Sequence, residues 1–195
     1  MSLTDAQRAV LAELWAHGKA NDAAVADRAG RMLNLDPETA ELVAVIATAA
    51  GARRAVEVGT SNGYSTIWLA AHVDHVVSID RAAAKHELAR ANLARAGVAD
   101  RVELLTGDAT ALVADLIGPI DLVFFDADRR SAPQQLGLLL PKLSPRAGVM
   151  HDNAVSNPDE LAEYLAMVGR LPGFVHTVVP VGKGLSVASR NGVGR

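Results

Sequence analysis

The stretch from Arg53 to Asp80, R-R-A-V-E-V-G-T-S-N-G-Y-S-T-I-W-L-A-A-H-V-D-H-V-V-S-I-D, constrains the fold of this chain more than any other. A short β-branched run, Ala55 to Val58, meets Gly59, and after Gly63 a helical pattern runs through Ile67, Leu69 and Ala70. A second β-branched run, Val76 to Ile79, ends on Asp80, about twenty residues past the turn, which is the βαβ spacing of nucleoside-binding α/β sheets. Gly59 and Gly63 let backbone approach a ligand with no Cβ in the way, and Asp80 can accept hydrogen bonds from both ribose hydroxyls.

A dinucleotide turn reads G-x-G-x-x-G, whereas G-T-S-N-G-Y puts Ser61 where the second glycine would stand. Glu57, just inside the strand, would repel a pyrophosphate and attract a cationic amino-acid ligand. The adenosine cofactor with positive charge at both its amino group and its sulfonium is S-adenosylmethionine.

The rest of the chain extends this unit into a Rossmann-like, doubly wound α/β fold. Strands are expected at Arg101 to Leu105, Ile120 to Phe125 and Gly148 to His151, with helices at Ala82 to Ala96, Ala109 to Ile117, Pro133 to Leu140 and Pro158 to Val168. Two last runs, Phe174 to Val179 and Leu185 to Ala188, are joined by P-V-G-K-G and read as an antiparallel hairpin, giving seven strands, mostly parallel. Ahead of the sheet, Thr4 and Gln7 have capping-box spacing before the apolar stripe Val10, Leu11, Leu14, Trp15. Lys19 to Arg31 reads as weakly helical, ending at Gly30, and Asp36-Pro37-Glu38 reads as a helix start running to Gly51. At 195 residues the expectation is one domain, a helical arm over 1–50 and a sheet over 51–190, with Asn191 to Arg195 as a frayed tail.

Half the residues are hydrophobic, but no apolar run approaches the roughly 20 residues that span a bilayer, and the start lacks a signal-peptide pattern. A chain without cysteine has no disulfide, thiolate metal site or thiol nucleophile, so a cytoplasmic location is expected. A formal charge of −3 gives no general attraction to nucleic acid. The apolar stripe of the arm makes a homodimer the expected assembly.

In open α/β sheets ligands sit beyond the carboxyl ends of the strands, and acids gather there: Asp80, Asp108, Asp126 with Asp128, and Asp152 with Asn153. Strand-to-helix loops also favour such residues as caps and turn formers, which accounts for one or two of them. Asp126, Asp152 and Asn153 would give three oxygen ligands, suited to magnesium, with manganese or calcium as alternatives, and leave positions open for a chelating substrate.

The motifs A-V-E-V-G-T-S-N-G-Y-S-T, V-V-S-I-D, T-G-D-A, D-L-V-F-F-D-A-D, H-D-N and V-P-V-G-K-G-L-S-V-A, in this order from Met32 to Arg190, resemble the cation-dependent O-methyltransferases, the group of catechol and caffeoyl-coenzyme A methyltransferases. The resemblance implies Glu57, Gly59, Thr60, Ser65 and Asp80 at the cofactor beside Gly63, Asp108 and Ala109 at its adenine, and Asp128 close by. It likewise implies Asp126, Asp152 and Asn153 on the metal, with Asp126 and Arg129 as the catalytic residues and a small hydroxylated acceptor as partner. Arg129 departs from the family, which carries a lysine there as the proton acceptor. Arginine cannot act as a base and can only stabilise an oxyanion, leaving the metal or His151 to acidify the acceptor. The segment after Asn153 is also short, so the acceptor site is expected to be open, or completed by the arm or a second subunit. Two other functions remain: a tRNA hydroxyuridine O-methyltransferase using Arg28, Arg31, Arg53, Arg54, Arg129 and Arg130, or a cofactor-binding protein without turnover.

Overall fold

A computed structural model of the chain describes residues 2–190 and 192; the tail expected over 191–195 lies almost wholly outside them. Its centre is a seven-stranded sheet of order β3-β2-β1-β4-β5-β7-β6. The strands are β1 (Arg54–Val58), β2 (His75–Asp80), β3 (Val102–Thr106), β4 (Ile120–Phe125), β5 (Leu143–His151), β6 (Phe174–Val179) and β7 (Leu185–Arg190). The first five run parallel, while β7 lies antiparallel to both β5 and β6. The sequence diverges to either side of the β1/β4 boundary, which is the switch point where such sheets open a crevice.

The helices are α1 (Asp5–Ala24), α2 (Pro37–Ala49), α3 (Tyr64–Ala70), α4 (Ala83–Arg95), α5 (Ala109–Asp115), α6 (Ala132–Leu139) and α7 (Pro158–Val168). Alternation along the strands divides the core. Phe124 and Met150 face a layer holding Val10, Leu14, Val43, Ile67 and Leu93, and Phe125 and Val149 face one holding Val113, Leu136, Leu161 and Tyr164. Burying each large apolar side chain contributes about 1.5–3 kcal/mol, and both faces are covered along the central strands β1, β2 and β4. No helix among the described residues is long and apolar enough to cross a membrane.

The arm differs from expectation in its first half. α1 is one helix that starts on the reciprocal Thr4–Gln7 capping box and ends at Ala24, and the chain then leaves helical geometry except for a short 3-10 turn at Arg28–Gly30. Gly18, a helix weakener by propensity, lies against Asn34: a Cβ there would come 2.5 Å from Asn34 Nδ2. Asp22 holds the returning strap by accepting from the amides of Met32 at 2.6 Å and Leu33 at 2.8 Å. α1, α2 and α3 leave between them a largely apolar groove of about 760 Å³ lined by Leu11, Trp15, Val45, Tyr64 and Trp68 among others.

Candidate active site

The turn between β1 and α3 is shaped by its glycines and tied to the end of β2. Gly59 and Gly63 adopt φ of 112° and 86°. Ser61, also left-handed at φ 47°, donates its amide to Asp80 Oδ2 at 2.9 Å, and Asp80 Oδ1 accepts from the amide of Ala82 at the same distance. Asp80 therefore fixes the loop on both sides, and each carboxylate oxygen keeps a lone pair for a ligand. Above it lies the strap: Ser61 Oγ donates to the Met32 carbonyl at 2.7 Å, and the Lys85 ammonium donates to the Arg31 carbonyl.

Under the turn Glu57 is fully buried. Its carboxylate accepts from Ser65, Thr66 and Ser78 hydroxyls, each at 2.5 Å, Ser78 being its direct neighbour across the β1/β2 ladder. Ser78 in turn lies 2.6 Å from Thr60 Oγ1, Thr60 3.0 Å from His86 Nε2, and His86 Nδ1 2.6 Å from Thr106 Oγ1. Because Ser78 gives its one proton to Glu57, it must accept from Thr60, which must accept from an Nε2–H tautomer of His86, leaving Nδ1 to accept from Thr106. This directed chain of hydroxyls and imidazole joins the glycine turn to the tip of β3, and sequence reading missed all of it except Thr60 and Ser65. The available signal was Ser78 itself, a lone hydroxyl in V-V-S-I-D on the same strand face as Asp80.

Burial pushes the Glu57 carboxyl up to about 7 despite the three hydroxyl donors, with Asp80 adding repulsion. The folded protein thus holds a proton that the unfolded chain releases at ordinary carboxylate pH. The stability linked to that proton is complete below about 4.5 and lost as pH rises to about 7, roughly 3 kcal/mol across the window. Urea unfolding at pH 5 and pH 7 should show this fall in the wild type and a much flatter profile in Glu57→Gln; equal slopes would show that Glu57 is ionised throughout.

At the tips of β4 and β5 the structure brings Asp126 and Asp152 together. Asp152 is 1% exposed, and its Oδ1 has no hydrogen-bond partner, while Oδ2 accepts from Asn153 Nδ2 at 2.8 Å. Asn153 adopts the left-handed conformation, φ 72°, which folds its amide back onto Asp152. Burial first, and then the Asp152 charge, hold the Asp126 carboxyl well above the usual range; burial likewise raises Asp152. Two acids kept close and under-partnered, with an amide beside them, form an oxygen donor set that fits a hard divalent cation. Among the described residues no three His, Cys, Asp or Glu side chains cluster for a metal, so Asn153 would have to be the third ligand.

The other sequence candidates have local partners. Asp108 caps α5 by accepting from the Ala111 amide at 2.9 Å, with Ala109 as the first helical residue, and Asp128 accepts from Ser131 Oγ at 2.6 Å and the Arg130 amide at 3.3 Å. Both still stand at strand ends facing the crevice side. Arg129 is ion-paired with Glu160 of α7 at 2.9 Å, with 13% of its side chain exposed. His151 packs with Phe125 and Tyr164 at ring-centre distances of 5.7 and 4.8 Å, and its Nδ1–H donates to the Asp152 carbonyl at 2.7 Å. Burial drives the His151 imidazole down to about 4, so it stays neutral. These contacts give His151 a packing role. Tyr64 is buried, and Trp68 packs on the core beside the arm.

Sequence reading also gave no role to Lys183, in the β6–β7 turn. β7 runs against β5, pairing His151 with Ser186, so this turn overhangs the carboxylate pair. The Lys183 charge draws both Asp126 and Asp152 downward against their burial.

Known proteins are similar to this chain in sequence and fold. Residues 56–154 match a family model described as a methyltransferase domain. A catechol O-methyltransferase of Mycobacterium tuberculosis is 34% identical over 175 residues, covering 82% of this chain and 78% of that protein. An O-methyltransferase from Bacillus cereus, solved in complex with S-adenosylhomocysteine, superposes with a TM-score of 0.80 at 25% identity over 94% of this chain and 91% of its own. The O-methyltransferase TomG from Streptomyces achromogenes, involved in tomaymycin synthesis and solved with S-adenosylmethionine, gives 0.77 at 26% identity over 97% and 91%. With the glycine turn, the β2 acid and the 3-2-1-4-5-7-6 sheet in place, this chain belongs to the class I S-adenosylmethionine-dependent O-methyltransferases.

Proposed function

We propose that the chain methylates a small catechol-like or other vicinal dihydroxy acceptor and that the transfer depends on a divalent cation, magnesium first among the candidates. The observation that carries this reading is the unpartnered Oδ1 of buried Asp152 beside Asp126, next to the turn that would hold the sulfonium cofactor. The catechol methyltransferase relative supports the acceptor class.

Asp126, Asp152 and Asn153 would hold the cation, which supplies acidification and aim for an acceptor hydroxyl. Asp80 would take the ribose hydroxyls, with Asp108, Ala109 and Asp128 along the adenosine, while Gly59, Thr60, Gly63 and Ser65 form the turn around the methionyl end. Glu57 would act from beneath this turn, its negative form favouring the ammonium and sulfonium above. The chain's task is then to align an ionised oxygen with the methyl group and to keep water out.

Small acceptors are favoured over RNA because Arg53 and Arg54 do not share a face with Arg129 and Arg130. Arg53 precedes β1 and Arg54 opens it, at the amino ends of the strands, where they meet Asp74 and the Ile117 carbonyl, whereas Arg129 and Arg130 follow β4 at the opposite end. A homodimer through the α1–α2–α3 groove and a cytoplasmic location belong to the same reading; the first rests on the apolar lining with Val45 62% exposed, and light scattering of the chain decides it.

The deciding experiment is a panel of catechols with S-adenosylmethionine, run with magnesium and with chelator. Methylated catechol and S-adenosylhomocysteine should form only with the metal. Equal rates in chelator would overturn the metal, and no methylated catechol would overturn the acceptor class.

A further inference from the structure

The family's lysine is absent at the β4 tip, and the arginine in its place is engaged elsewhere, bound to Glu160 at 2.9 Å. The opposite wall of the crevice does carry a lysine. The Lys183 carbonyl accepts from the amides of Val155 and Ser156, both at 3.0 Å, and the Gly184 carbonyl accepts from Ala154 at 2.8 Å, so the hairpin turn is laced to the residues just after Asp152 and Asn153. On its other side the turn sits on the start of α2: a Cβ on Gly182 would lie 2.5 Å from Thr39 Oγ1 and 2.8 Å from Asp36 Oδ2. The backbone around Lys183 is therefore fixed from two directions, while its half-exposed side chain makes no ion pair within 4 Å among the described residues.

The surroundings explain why a cation is needed there. Asp36 caps α2 by position but makes no capping hydrogen bond, and its charge reaches Asp152. Thr39 Oγ1 is fully buried without a partner, as is Asp152 Oδ1. Three carboxylates around one mouth repel an acceptor that has become an anion, and a fixed positive charge reverses that repulsion.

The geometry points to Lys183 as the residue that selects acidic acceptors: its ammonium stands at the rim of the Asp126–Asp152 pair and binds the negative oxygen of a catechol that has released its proton to solvent. This rests on the catechol reading above. Lys183 acts by charge alone, taking the electrostatic part that Arg129, held by Glu160, does not supply.

The test is equilibrium binding of 4-nitrocatechol, whose ionised form absorbs at longer wavelength, to the protein with magnesium and S-adenosylhomocysteine, so that no turnover occurs. Lys183→Met should weaken binding at neutral pH about tenfold. It should also raise the pH at which the bound chromophore ionises by about one unit. Lys183→Arg should retain most of both, and S-adenosylhomocysteine affinity should stay within about twofold as the measure of an intact fold. If the methionine variant loses that affinity, Lys183→Gln takes its place. Unchanged nitrocatechol binding and ionisation in the neutral variant would overturn the role of Lys183 while leaving the catechol reading intact. An arginine variant as weak as the neutral one would assign the effect to packing and overturn it as well. A wild type that fails to bind 4-nitrocatechol with magnesium would overturn both.

Discussion

Asp152→Ala is expected to lower metal-dependent methyl transfer by about 10³-fold or more while leaving S-adenosylmethionine affinity within a few fold. The separation follows from position. Asp152 follows β5, two strands away from the β1 turn and further still from Asp80, and its side-chain hydrogen-bond partner is Asn153 rather than any residue of the glycine turn. The same variant should melt at least as high as the wild type in chelator, because a buried carboxylate with one unpartnered oxygen and a raised pKa destabilises the fold. Adding magnesium should raise the melting temperature of the wild type and leave that of the variant unchanged, since only a site that binds the ion gains from it. Product formation, titration of the cofactor and melting with and without metal measure the three effects separately. A variant with wild-type turnover, or one that magnesium still stabilises, would remove Asp152 from the metal site.

The sheet was legible wherever an element is bounded by strong signals on both sides. β4 and β6 match their expected ranges residue for residue, as does α7, which opens on Pro158 in its first turn. β5 was read five residues short, at Gly148 to His151, since Pro145 lacks the amide of a regular ladder residue. In the sheet Leu143 already pairs with Ile120, and the register shift between Ile120 and Leu122 absorbs the irregularity. The weakly helical stretch expected over Lys19 to Arg31 instead joins the capped helix as one α1 that ends at Ala24, running through Gly18 where it lies against Asn34. The site shows the same division. Acids at strand tips announce a crevice, but spacing does not reveal that Asp108 and Asp128 serve as a cap and a turn anchor, or that Asp126 and Asp152 converge. Lys183 escaped because its position depends on an antiparallel return that brings residue 186 beside residue 151.

The closest backbone approach at the switch point yields the second large effect. Gly59 adopts φ 112°, and a Cβ placed there would stand 2.4 Å from the carbonyl oxygen of Asp126 and 2.8 Å from its carbonyl carbon. Neither atom can yield, because the Asp126 amide is bonded to the Val58 carbonyl at 2.8 Å and the Gly59 amide to the Ile79 carbonyl at 2.8 Å. Gly59→Ala combines a disfavoured conformation with a backbone collision and should cost about 3–5 kcal/mol, read as a lower urea midpoint. Gly97→Ala is the control: φ is 66°, but nothing lies within 4 Å of the added carbon, so the cost should be about 1 kcal/mol. Equal costs at the two positions would show that conformation alone matters and that the β1 and β4 turns can part. A much larger cost at Gly59, with cofactor and metal affinity falling together in whatever protein stays folded, would show that this contact keeps the sulfonium turn and the carboxylate pair at a fixed separation. Transfer between two separately held reactants requires that separation to be constant.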